Sequence, residues 1–436
     1  MSIGIAVALG SVVVLVGLIY LGMHVGVALT LVSFGGVFLI RGNLQLAMDL
    51  LALSVSDAVA TYTYGVIPLF VLMGFVVSEA NFGRDLFDVT NRIFRRVKGG
   101  LGLSTIAANA GFAAITGVSI ASASVFTRIA VPQMLRFGYS PRFAVGLVAG
   151  SSVLGMLIPP SVLMILYGVL TDVSIGRMFI AGILPGVGLA TLFAIGTVVA
   201  VHLWPGLVGK PEDGSDVPGA GASVIKLLPL IALVMLVLGG IYRGFFTATE
   251  AAGVGAGASL VIALAMGRLD RAALWRVLRS TASVTASICF LLIAASLYSR
   301  MLAFSGLPGA FQSWASGSDL GFLPLLLIYM GVLVVLGTIL DSTSIMLITV
   351  PVMVPVLVAL NPAADPIWLG ILIIVAIEVG IITPPLGIAV FVINDTLDDP
   401  RVKLGDIFAG ALPFAFAMVV FLALLITFPQ ISLALL

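Results

Sequence analysis

The sequence predicts an all-α polytopic membrane protein with inverted structural repeats, two re-entrant helical hairpins and two Pro-broken helices. Three observations predict it. The first is composition: of 436 residues, 61% are hydrophobic and 9% charged, against roughly 25% charged in soluble domains. Apolar runs of about 20 residues recur, enough for about ten full spans and several half-length pieces. The second is that Pro159-Pro160 and Pro384-Pro385 each interrupt a long apolar run. Two consecutive prolines remove two backbone donors and clash with the preceding turn, so each helix breaks. Carbonyls freed at membrane depth are tolerated only where they are buried in protein or line a wet cavity. The third is a duplication with an offset of about 220 residues: Gly83 matches Gly306, Gly117 matches Gly337, Pro132 matches Pro351, and Ala181-Gly182 with Pro185 matches Ala409-Gly410 with Pro413.

Taken in order, residues 1–61 hold the first scaffold spans, Ile3–Tyr20 and Val25–Ile40, then Leu44–Tyr64, which carries Asp49 and Asp57 and reads equally as interfacial helix or span. The N-terminus lacks a basic leader, so Ile3–Tyr20 is expected to be a span and not a cleaved signal. Repeat 1 covers residues 62–203. It opens with the span Val66–Ser78 and an arm, Asn81–Lys98, whose Leu86, Val89, Ile93 and Val97 fall at helical spacing beside five basic residues, as in a surface-lying amphipathic helix. Leu101–Ile115 enters the membrane, the run from Gly117 to Ser124 interrupts it, and Val125–Leu135 returns: a re-entrant hairpin. The broken helix Phe143–Leu170 and the span Met178–Val201 follow. Residues 204–280 supply connecting spans, Ile225–Ile241 and Thr249–Met266. Repeat 2, residues 281–436, replays the order: Thr281–Tyr298, an arm Ser305–Ser316 without a charge, a hairpin interrupted from Gly337 to Ser344, the second broken helix, and Ile407–Phe428.

Short basic loops face the cytoplasm. With Arg92–Lys98 placed inside, counting spans brings Arg268–Arg279 and Arg401–Lys403 inside as well and leaves the uncharged arm outside. The copies are then inverted, with one hairpin opening from each side, the plan of alternating-access carriers. Net charge is +1, which gives no electrostatic case for nucleic acid. The one cysteine, Cys289, sits in an apolar run and reads as a packed thiol. His24 and His202 stand alone at helix ends and read as interfacial residues.

Both hairpin tips are rich in Gly, Ser and Thr and would face the broken helices. Hydroxyls and freed carbonyls are hard oxygen ligands suited to an alkali cation, and helix ends add partial charge beside them. The plainer reading, that small residues only let helices approach closely, accounts for one tip more easily than for two, each paired with a break. Asp341 has no counterpart at the first tip, where Ala121 stands, and a buried acid in a membrane is a functional candidate; its plainer role is a helix-end partner. Glu378 reads first as a packing hydrogen-bond partner and second as part of an ion or substrate path. Glu250 reads as a helix cap. Arg128 either snorkels to solvent or pairs a substrate carboxylate.

The motifs Gly-Val-Ser (117–119), Pro-Gln-Met-Leu-Arg-Phe-Gly-Tyr-Ser-Pro (132–141), Ile-Pro-Pro-Ser (158–161), Phe-Ile-Ala-Gly-Ile-Leu-Pro-Gly (179–186), Thr-Glu-Ala-Ala (249–252), Leu-Asp-Ser-Thr (340–343) and Glu-Val-Gly-Ile-Ile-Thr-Pro-Pro-Leu-Gly (378–387) resemble the large membrane subunit of TRAP transporters, the tripartite ATP-independent periplasmic carriers. The resemblance covers nearly the whole chain. It implies an elevator-type ion-transporter-like fold, coupling to Na⁺, import of small carboxylates across the bacterial inner membrane, a small four-helix membrane subunit and a periplasmic substrate-binding protein. It maps ion sites onto Gly117, Ser119 and Ser122 with Pro159, and onto Gly337, Thr338 and Asp341 with Thr383. Arg128, Ser161, Ser342 and Pro384 are the substrate-binding candidates, and Arg128 departs from the small or apolar residue expected there. The alternative within transport is a stand-alone divalent-anion/Na⁺ symporter. An intramembrane hydrolase would need Ser with His or paired Asp at membrane depth, which the two helix-end histidines do not supply; a scaffold leaves the duplicated breaks without a purpose.

Overall fold

The computed structural model describes residues 2–209, 220–317, 321–397 and 399–436, and their regular structure is helical throughout. The chain opens with α1 (Ile3–Tyr20) and α2 (Val25–Arg41), an antiparallel pair whose Leu15, Leu29 and Val37 pack with Tyr298 and Met301 of a later helix, α14 (Arg271–Ser305). α3 (Leu44–Ala60) is a surface segment and not a span, because both its ends lie at the same end of α14. Arg41, just before it, covers the ring of Phe304 at 4.9 Å, and Asp57 near its end pairs with Arg300 at 2.5 Å. α4 (Val66–Glu79) crosses next, then α5 (Phe82–Phe94), the first arm.

Hairpin 1 is α6 (Gly100–Thr116) and α7 (Ser119–Arg136). The first broken helix is α8 (Pro141–Ser152), α9 (Leu154–Leu157) and α10 (Val162–Thr171). α11 (Ile175–Leu203), α12 (Ala220–Tyr242) and α13 (Ala248–Ala265) lead to α14 (Arg271–Ser305), which runs on well past the span expected at Thr281–Tyr298. α15 (Leu307–Gly317) is the second arm, α16 (Phe322–Gly337) and α17 (Ser342–Leu360) form hairpin 2, and α18 (Pro366–Ile381) and α19 (Ile388–Thr396) form the second broken helix. α20 (Leu404–Thr427) and the short α21 (Gln430–Leu433) close the chain. Among the described residues, eight helices are long and apolar enough to cross a membrane. That is fewer than the ten spans expected, because several apolar runs, α2, α6, α16 and α18 among them, form helices of only 16 or 17 residues.

The two arms sit at opposite ends of α14. Asp85 of α5 pairs with Arg268, which just precedes α14, and Glu79 before the arm pairs with Arg276 at 2.6 Å. α15 instead follows the far end of α14 directly. At 1.5 Å per residue the 35 residues of α14 span about 52 Å, so the arms are well separated. The basic clusters collect at the first end. Gly99, beside Lys98, lies against Val201 of α11. The Ser140 amide donates to the Leu207 carbonyl at 2.9 Å, and Arg142 reaches Asp406 at the start of α20 at 3.7 Å.

The broken helices fill the centre. Every residue from Ile367 to Ile381 is buried, as expected of a helix apolar all round. The Tyr167 hydroxyl on α10 donates to the Pro366 carbonyl at 2.6 Å and so ties one repeat to the other.

Candidate functional site

Each hairpin tip docks on its broken helix through an equivalent backbone contact. In hairpin 1, Gly117 ends α6 in the left-handed region at φ 63°, and its carbonyl accepts the Val162 N–H at 3.2 Å, just past Pro159-Pro160-Ser161. A Cβ on Gly117 would lie 2.4 Å from the Pro160 carbonyl oxygen, so only glycine permits both the conformation and the approach. In hairpin 2 the Thr338 carbonyl accepts the N–H groups of Leu386 and Gly387, each at 3.2 Å, just past Pro384-Pro385. Gly337 meets Gly380 backbone to backbone, with a Cβ on Gly337 2.8 Å from the Gly380 Cα. Four helices, α6, α9, α16 and α18, therefore end at this level and present carbonyls, while α7, α10, α17 and α19 begin there and present amides.

The interruptions are shorter than the sequence indicates. α7 already starts at Ser119 and α17 at Ser342, so most of the hydroxyl-rich tip residues are helical. Asp341 is the N-cap of α17: its carboxylate accepts the Ser344 N–H at 3.0 Å and also the Ser344 hydroxyl. The Thr338 hydroxyl donates to the Val335 carbonyl at 2.8 Å and that of Thr383 to Val379 at 2.6 Å, which leaves lone pairs on both oxygens. The hydroxyls of Ser119 and Ser122 are buried without a hydrogen-bond partner among the described residues.

A cavity of about 370 Å³ lies between the tips and the scaffold. Thr116, Val118, Ile120 and Ala121 of hairpin 1 and Asp341, Ser342 and Thr343 of hairpin 2 form one wall; Gly74 and Ser78 of α4, Ser283 and Ser287 of α14, and His24 form the other. His24 caps α2 by accepting the Gly26 N–H on Nδ1 at 3.3 Å, and that bond assigns the proton of the neutral ring to Nε2. Among the described lining residues Asp341 is the one acid, and none is Lys or Arg. The cavity lies toward the end of the molecule that holds the basic clusters. A larger, more polar cavity of about 1120 Å³ lies at the other end, lined by Asp57, Tyr64, Asp172, Arg177 and Arg300 among others.

Residues 12–431 match the family described as "Tripartite ATP-independent periplasmic transporter, DctM component". The chain belongs to this family. Relatives include the C4-dicarboxylate TRAP transporter large permease protein DctM of Pseudomonas aeruginosa, 34% identical over 88% of both chains. The ectoine TRAP transporter large permease protein TeaC of Halomonas elongata is 30% identical over 97% of each chain. The sialic acid TRAP transporter large permease protein SiaM of Vibrio cholerae is 30% identical over 98% of this chain and 97% of its own. Among solved structures, the Alcanivorax borkumensis YdaH transporter shares the fold with a TM-score of 0.64 at 14% identity, over 86% of this chain and 87% of that one.

In this TRAP large membrane subunit, the residues expected at the first ion site, Gly117, Ser119, Ser122 and Pro159, gather where hairpin 1 meets its break, and Gly337, Thr338, Asp341 and Thr383 gather where hairpin 2 meets its own. The four substrate candidates separate. Ser342 lines the cavity. Ser161 is buried inside the break, donating to the Met156 carbonyl at 2.6 Å and capping α10. Pro384 and Arg128 are exposed and lie outside the cavity lining. Glu250 forms a capping box with Thr247. Sequence reasoning missed the scaffold wall. Ser283 and Ser287 do carry a signal, hydroxyls one turn apart in the hydroxyl-rich stretch from Ser280 to Ser287, whereas nothing local marks His24 or Ser78.

Proposed function

We propose that the chain is the large permease subunit of a Na⁺-coupled, binding-protein-dependent carrier that imports small organic acids across the bacterial inner membrane by an elevator motion. The observation that carries this reading is the cavity shared by both hairpin tips and the scaffold wall. Hairpins and broken helices form one body around the centre, and that body travels past α1, α2, α4 and α14. With the basic clusters inside, the 370 Å³ cavity is the cytoplasmic release site. The relatives' named cargoes, C4-dicarboxylate, ectoine and sialic acid, all carry a carboxylate. With no Lys or Arg in its lining, the cavity meets that carboxylate with hydroxyls and with the amide ends of α7 and α17.

The tips suit Na⁺ as coupling ion. The unpartnered oxygens of Ser119 and Ser122, the carbonyls at the ends of α6 and α16, and the Asp341 carboxylate are hard ligands, and an ion held there would pin each hairpin to its break. The partners are a small four-helix membrane subunit and a soluble periplasmic binding protein. α1, apolar and largely unburied, offers the first of these a lipid-level face. Reconstitution into vesicles with both partners and labelled C4-dicarboxylate, ectoine or sialic acid tests the reading. Uptake of at least one is expected only with both partners and an inward Na⁺ gradient. Uptake unchanged when choline replaces Na⁺ overturns the coupling, and brisk uptake by the chain alone favours the stand-alone symporter.

A further inference from the structure

Glu378 is a carboxyl group at full burial, 1% exposed, on α18 just before the second break. The Ser342 hydroxyl of hairpin 2 donates to its Oε1 at 3.0 Å. Ser119, the first residue of hairpin 1's return helix, also stands beside this carboxyl, near enough for its hydroxyl to bear on it. This second contact falls short of a well-formed hydrogen bond, which leaves Oε2 of Glu378 and the hydroxyl of Ser119 buried without a hydrogen-bond partner among the described residues, as is the hydroxyl of Ser122 one helical turn further on. Buried polar atoms in folded proteins are nearly always paired, and a half-satisfied network is costly to hold. An unpaired carboxyl oxygen beside an unpaired hydroxyl, between two hairpins that come from opposite repeats, makes a joint that is complete on one side and loose on the other.

We infer that Glu378 is the positioning residue that couples the two hairpin tips. Its two oxygens belong to one planar group. When hairpin 2 seats on its break, Ser342 fixes Oε1 and with it the direction of Oε2. When an ion held at the docked tip of hairpin 1 draws Ser119 inward, its hydroxyl closes on Oε2 and reinforces the plane that Ser342 requires. Seating either tip therefore favours seating the other, and the coupling is reciprocal. A packing strut needs only one partner; two partners on two hairpins make a linkage. The inference rests on the reading of Na⁺ as the ion that seats the tips, and it adds that the two tips respond to Na⁺ together.

The test follows each tip separately. Ile120→Cys on hairpin 1 and Thr343→Cys on hairpin 2, both lining the cavity, are introduced one at a time with Cys289→Ala in the full chain in lipid nanodiscs. Maleimide labelling is timed as NaCl replaces choline chloride. With Glu378 in place, both reporters slow over the same Na⁺ range, with one midpoint and a Hill coefficient above one. Glu378→Leu keeps an apolar helix but offers neither contact; the two midpoints are expected to separate by about fivefold or more, with Hill coefficients near one. Glu378→Gln keeps an acceptor for Ser342 and a polar partner for Ser119 and is expected to keep the midpoints together. Should the Leu variant not fold, Ser342→Ala reads the same linkage: the hairpin 1 reporter must shift although the change is on hairpin 2. Midpoints that stay joined in Glu378→Leu, a hairpin 1 reporter indifferent to Ser342→Ala, or a Gln variant as uncoupled as Leu overturn the inference. If neither reporter responds to Na⁺ in the chain with Glu378 intact, the ion reading itself falls, an outcome distinct from uncoupling.

Discussion

A carboxylate at membrane depth stays charged only where donors or a cation surround it. At Asp341 the donors belong to Ser344, so the acid of the second hairpin tip is a helix cap in the fold, and its cavity-facing position leaves it free to meet an ion as well. Asn also caps helices, so Asp341→Asn should leave expression and insertion near normal while raising the Na⁺ concentration for half-maximal uptake roughly tenfold, within the usual range of site coupling; an unchanged Na⁺ dependence would leave Asp341 with the cap alone. Gly337→Ala should act on stability first. Its Cβ would meet the Gly380 backbone, which cannot yield as a flexible side chain can, and overpacking of this kind costs about 1–3 kcal/mol, read as a lowered thermal midpoint in detergent. The glycines and prolines of both tips were legible in the sequence because their backbone demands are local. His24 was not. Its place opposite the tips arises only when α2 packs beside α14 and α4 across from them, and no pattern within residues 20–26 encodes that meeting.

At the scale of elements, the duplicated order of arm, hairpin, broken helix and span was readable because each element has its own period or breaker. What the sequence left open was level. Leu44–Ala60 is apolar enough to be mistaken for a crossing, and only the pairing of Arg41 with Phe304 and of Asp57 with Arg300 shows that it returns to the side it left. The arms carry the sharpest test of inversion. Single cysteines replacing Trp314 on α15 and Trp275 at the start of α14, both exposed, on a Cys289→Ala background, should react with an impermeant thiol reagent from opposite sides of the membrane: Trp314→Cys from outside, Trp275→Cys from within. Labelling of both from one side ends the inverted arrangement. The first arm is held by charge. Asp85 is largely buried between Arg268 and Lys226, so Asp85→Asn leaves two cations facing a neutral amide. The cations are partly solvated, so the loss should fall between exposed and buried pairs, about 1–2 kcal/mol. Arg401→Ala, which removes a largely exposed guanidinium paired with Asp399 two residues away, should leave the thermal midpoint nearly where it is.

For the molecule as a whole, the division of labour in the family makes a strong demand: without the small subunit and the binding protein, vesicles holding this chain alone should show no Na⁺-driven uptake above background. Function class was legible from the repeat plan and the motifs together, and cargo was not, because the cavity wall offers hydroxyls and amides that many carboxylates satisfy equally. α14 carries a different consequence. It is about 52 Å long, the hydrocarbon layer is about 30 Å thick, and an arm is moored at each of its ends. Such a helix works as a caliper: a thinner or thicker bilayer changes its tilt, and the tilt resets the spacing of the arms that frame the moving body. Transport rate should accordingly pass through a maximum across phosphatidylcholine vesicles of increasing acyl length, from dimyristoleoyl to dierucoyl, so that membrane thickness itself becomes a regulator of the carrier.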